Sequence, residues 1–191
     1  MFPIHEKKGD NVIGCSFKEF SSRFIEICNE HIENDKAKAF AFIFWDFKND
    51  KLQHILNSYN GLRSNEFTKL DRLSGQELTI FYLDSNNKRL FNQFNRFFIK
   101  KFKDSNHSNL SLTLPFIVLF KVKKERIIDA EFVMLNQKEI NSAFDDLYIY
   151  IDEYLNTQKR KPQKRFENIK CYTQIGLQLL INALIGEIQS A

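Results

Sequence analysis

The sequence predicts an α/β domain: a mixed β-sheet, built from a β-α-β unit and a β-β-α unit, sandwiched by helices. Three observations predict it. Segments 38–46 and 78–83 are nearly continuous apolar runs, the pattern of strands buried on both faces. Helical patterns lie between and around them, so a right-handed crossover sets these strands parallel. A third apolar strand, 115–122, turns on a charged Lys-Lys-Glu-Arg and returns as 127–135, which makes an antiparallel hairpin.

Residues 1–15 are mixed in character, with a short strand expected over 11–15. Ser16 followed by Glu19 is a capping box. It opens a helix whose Phe17, Phe20, Phe24, Ile27, Cys28 and His31 fall on one stripe, ending near Glu33 or Asn34. After strand 38–46, residues 49–60 fit two readings. One is a helix capped by Asn49 or Asp50, with Leu52, Ile55, Leu56 and Tyr59 on one face. The other is a hairpin through Lys48–Lys51. Ser64–Leu73 reads as a short helix stopped by Ser74-Gly75. Strand 78–83 ends at Asp84 and a polar turn. The next helix buries Leu90, Phe91, Phe94, Phe97, Phe98 and Phe102, then a polar loop leads to the hairpin. Asn136 with Glu139 offers a further cap, for a helix aligning Ile140, Phe144, Leu147, Tyr148, Ile151 and Leu155. These elements define one domain over 1–156. A basic linker over 157–170 and an apolar C-terminal helix over 171–191 complete the chain.

Composition narrows the function classes. The chain has 191 residues, 43% hydrophobic and 27% charged, ordinary for a soluble globular domain. The 20 Phe fall mostly at helical or strand spacing, so they are core candidates. Neither a G-x-x-x-x-G-K-[ST] loop nor a G-x-G-x-x-G turn occurs, so the phosphate cradles built on glycine are excluded. Cys15, Cys28 and Cys171 are odd in number and irregular in spacing, which argues against a disulfide framework and for a reducing compartment. The first residues lack the apolar core of a secretory signal, and no run of 18 apolar residues occurs. A cytoplasmic location without a membrane span is the expectation. The formal net charge of +4 permits an acidic partner without arguing strongly for one.

Residues 113–134, "TLPFIVLFKVKKERIIDAEFVM", together with the order of elements over 16–156, resemble the thioredoxin-like superfamily. The resemblance implies a cis bond at Leu114-Pro115 before the third core strand. It places Pro115 beside the functional edge of the fold. It also exposes a departure. Catalytic members carry Cys-x-x-Cys at the start of the helix after the first core strand, where the helix N-terminus stabilises a thiolate. Here that place reads "FWDFKNDKLQ", Phe44 to Gln53, without a cysteine. No Ser, Tyr or Cys nucleophile stands there for glutathione transfer either. The expectation is a redox-inactive binding or accessory protein without a cofactor, more binding module than enzyme. Its candidate binding edge is Asp46, Phe47, Lys48, Asn49, Asp84, Thr113 and Pro115, suited to a protein or peptide partner.

Two alternatives compete with it. Asp46 and Asp84 follow the two parallel strands, where open α/β sheets meet ligands, and two acids there suit a divalent metal in a hydrolase. Against this, Asp46 reads more readily as a loop residue and Asp84 as the cap of the next helix, and no third acid at a known spacing completes a metal site. The four histidines also lack H-x-x-x-H or H-E-x-x-H spacing. The run Lys159, Arg160, Lys161, Lys164 and Arg165 could touch nucleic acid. Such a run is more often a solvated linker, and no aromatic stacking motif accompanies it, so nucleic acid is the minority reading. The C-terminal helix is apolar over much of its circumference. It would pack on its own domain, or on a second copy in a homodimer.

Overall fold

The computed structural model describes residues 1–5, 7, 13–45, 65–73, 77–84, 88–89, 92, 95, 113–123, 126–156 and 166–173. Among them seven strands form one sheet: β1 (Phe2–His5), β2 (Cys15–Ser16), β3 (Ala39–Phe44), β4 (Leu78–Asp84), β5 (Phe116–Lys123), β6 (Arg126–Leu135) and β7 (Ile169–Thr173). The helices described over continuous ranges are α1 (Phe17–Glu33), α2 (Asn65–Leu73) and α3 (Ile140–Leu155). The strand order is β2-β1-β4-β3-β5-β6-β7. β1, β2, β3 and β4 run parallel, while β5, β6 and β7 alternate antiparallel. The mixed α/β class read from the sequence is therefore present. β3 pairs parallel with β4 and β5 antiparallel with β6, as the patterns predict.

Strand alternation sorts the side chains into two layers. Phe40, Phe42 and Phe44 of β3 share a face with Phe81 of β4, Phe116 and Phe120 of β5, and Phe132 of β6. α1 covers part of this face. Phe24 stacks on Phe42 at 5.6 Å, and Phe20 meets Phe81 edge-on at 5.1 Å. Both geometries suit the ring quadrupole. The opposite face is covered by α3, which buries Ile140, Ala143, Phe144, Leu147 and Ile151, and by α2, which packs on β4 and α3. The phenylalanine wealth of the sequence is thus largely one aromatic layer.

Local chemistry sets the boundaries. Ser16 Oγ accepts the Glu19 backbone N–H at 3.1 Å, which is the Ser half of the expected box. The Glu19 carboxylate lies 3.5 Å from Arg23. At the other end α1 closes in a Schellman motif. Lys36 N–H donates to His31 O at 2.8 Å, and Asp35 N–H to Ile32 O at 3.1 Å. Asp35 takes φ 52° there, the conformation glycine adopts most freely. Asp35→Gly is therefore expected to stabilise the fold by about 1 kcal/mol, raising the melting temperature by about 2–4 °C. Thermal unfolding of the two proteins checks it, and an unchanged or lower midpoint would refute it.

Three expectations are corrected. β1 lies in residues read as mixed, and of the strand expected over 11–15, Ile13 and Gly14 lie outside any strand while Cys15 opens β2. Asn136 does not cap α3: its Oδ1 accepts the Lys138 N–H at 3.1 Å in a local turn, and the helix starts after Glu139 without a side-chain cap. Ile169 and Lys170, expected in the linker, and Cys171–Thr173, expected to open a helix, instead form β7 on the sheet edge. The cause is local alternation, since Val133 pairs with Cys171 and Leu135 with Ile169, which is buried. The expected elements over 49–60 and 174–191 lie outside the described residues. Of the helix expected after Asp84, residues Lys88, Arg89, Asn92 and Asn95 are described, and they are helical.

Candidate functional site

The parallel strands end together, and their carboxyl ends define one edge of the sheet. His5 closes β1 and pairs in register with Asp84, which closes β4. β5 runs the other way, so its start lies at the same edge. Phe44 pairs with Phe116, Phe116 with Met134, and Met134 with Lys170. One row thus crosses the sheet from β3 to β7 beside the loop that enters β5.

That loop holds two of the predicted residues. Pro115 is buried, and the Leu114-Pro115 bond is cis. Thr113 is exposed, with its hydroxyl 3.9 Å from the Met134 sulfur. The loop is pinned from β6. Leu135 N–H donates to Pro115 O at 3.0 Å, and the Gln137 side-chain amide donates to Leu114 O. An open groove of about 480 Å³ lies beside it. That volume falls in the range of ligand sites. Thr113, Met134, Asn136 and Lys138 line it from the β5 and β6 side, and Glu167, Asn168 and Lys170 from the β7 side.

The β7 side is held in place by a polar clip. Asp146 of α3 accepts both the backbone N–H and the side-chain amide of Asn168, at 3.0 and 3.2 Å. Asn168 O in turn accepts the Asn136 N–H at 2.9 Å. One residue therefore ties the lead-in of β7 to the helix and to the exit of β6. The groove walls are held to each other by backbone and side-chain hydrogen bonds together.

Asp84 is exposed and turns toward β1. Its carboxylate lies 3.5 Å from His5 Nδ1, while His5 Nε2 meets Ile13 O at 2.9 Å. The other acid of the expected metal pair, Asp46, lies outside the described residues, as do Phe47, Lys48 and Asn49. Among the described residues, no group of three or more His, Cys, Asp or Glu could hold a metal ion. Near the start of that segment, buried Asn95 donates to Trp45 O at 2.6 Å, which ties the helical segment after β4 to the end of β3. The basic residues Lys159, Arg160, Lys161, Lys164 and Arg165 also lie outside the described residues. No helix among the described residues is long and apolar enough to cross a membrane.

The thiols are shielded. Cys15 and Cys28 are buried, and burial pushes the Cys28 thiol well above its ordinary range. Cys171 is partly covered between β7 and α3. Burial pushes its thiol up to about 12, with the carboxylates of Glu131, Asp146 and Glu153 adding to the rise. Tyr150 donates its hydroxyl to the buried Glu131 carboxylate beside it, and burial raises this phenol far above its usual value. None of the three cysteines forms a disulfide.

No family model matches the chain, and no match was found among curated proteins or solved structures. Gln137, Lys138, Asn168 and Lys170 carried no motif in the sequence. They converge only because β7 pairs with β6. The one available signal was the alternation of Ile169, Cys171 and Thr173.

Proposed function

We propose that this protein is a redox-inactive, thioredoxin-like binding module that takes a protein or peptide partner at the carboxyl edge of its sheet. The observation that carries the reading is the open groove beside the Pro115 loop, in a chain whose described thiols are all shielded. The strand order β1-β4-β3-β5-β6 supports the kinship, with a parallel trio followed by an antiparallel pair and a proline at the entry to β5. Thiol–disulfide exchange needs an accessible thiolate and a resolving partner. Two cysteines are buried, and the third is held protonated at neutral pH. The segment after β3 contains no cysteine.

Insulin reduction tests the reading. With dithiothreitol present, the protein is expected to leave the rate of insulin B-chain precipitation at the dithiothreitol-only value. Catalytic acceleration that is lost in Cys171→Ser would overturn the redox-inactive assignment. The metal-hydrolase alternative is disfavoured, because the described half of its acid pair is already engaged with His5.

A further inference from the structure

Lys138, just after β6, and Lys170, on β7, line the same groove, and both side chains are exposed. Neither ammonium group forms a salt bridge among the described residues, whereas Lys38, Lys69 and Lys121 each face a carboxylate. Glu167 is the single acid among the described lining residues, so the rim carries a net positive charge. Beside Lys170, its register partner on β7, the groove presents Met134, half-buried and with a thioether that adapts to varied apolar shapes. The amides of Asn136 and Asn168 and the hydroxyl of Thr113 add hydrogen-bonding groups.

We infer that the groove recognises an acidic peptide segment, with Lys138 and Lys170 reading its carboxylates and Met134 taking an adjacent apolar side chain. This rests on the binding-module reading and adds the partner's chemistry. A groove open to solvent admits a chain passing through it, and the amide groups on its rim suit peptide backbone. Two cations from separate segments select negative charge mainly through attraction at the rim, which is sensitive to salt.

Fluorescence anisotropy of the full chain with two labelled, randomised ten-residue peptide pools tests the inference. One pool is built from Glu, Leu and Ser, the other from Lys, Leu and Ser. The acidic pool is expected to bind and the basic pool not to. Binding should weaken at least ~tenfold in K138E/K170E and fall steeply between low and high salt. Both lysines are exposed, so that variant is expected to keep the wild-type melting temperature. Equal binding of both pools, with no salt dependence, would overturn the acidic preference and leave the binding module standing. Failure of both pools to bind would count against the inference and the binding-module reading together. A single-stranded oligonucleotide bound through the same two lysines, in preference to the acidic pool, would overturn the inference in favour of a phosphate partner.

Discussion

Phe81→Ala is expected to cost about 3–5 kcal/mol of stability, read as a fall of roughly 6–20 °C in melting temperature. Phe81 is fully buried at the centre of the aromatic layer. Its ring stacks on Phe40 at 5.9 Å and lies 5.3 Å from Phe42. It meets Phe2 edge-on at 5.6 Å and Phe20 at 5.1 Å. Truncation removes the transfer energy of the ring and leaves a cavity whose rigid aromatic walls collapse poorly. Phe81→Leu refills part of that space and should cost markedly less. Urea unfolding of the three proteins measures the series. A loss below about 1 kcal/mol for the alanine variant would mean that β4 and α1 do not meet through this ring.

Gly14→Ala is expected to destabilise by about 2–4 kcal/mol. Gly14 holds φ 105°, which side-chain-bearing residues rarely adopt. A methyl group built there would lie 2.2 Å from Pro3 O and 2.9 Å from Pro3 Cγ. Backbone must therefore move, and the backbone in question is β1. The damage should be local as well as global. His5 would leave its place between Asp84 and Ile13 O, so the His5 ring resonances in an NMR spectrum should shift toward those of a free imidazole. Wild-type stability with an unchanged His5 signal would show that β1 does not depend on this close approach.

The sequence was most legible where pattern and burial coincide. Strands 39–44 and 78–84 are buried over nearly their whole length, and a run of apolar residues announces that condition directly. The hairpin was legible because a short charged turn leaves no other way back. β1 was not, because Phe-Pro-Ile-His is four residues long and too short to show a period. β7 was masked by its neighbour in the chain, since Cys171 abuts a long apolar run that reads as helix. The Asn136–Glu139 spacing matched a cap, yet Asn136 satisfied its nearest backbone donor first. At the site, Asp84 could be placed from the end of its strand, and Thr113 and Pro115 only through the resemblance that the hairpin carries. The lysines that give the groove its charge could not, because nothing local links position 138 to position 170.

The pairing of β1 with β4 sets an order of assembly on the ribosome. Phe2 emerges early and must wait for Phe81, whereas Phe116 finds Met134 soon after both are made. Loop closure over the longer span is entropically the more demanding step, so the hairpin half can form as a local unit while the parallel half awaits the return of the chain. Until then the nascent N-terminal segment exposes an apolar strand and the aromatic side of α1, the surfaces a holdase chaperone would grip.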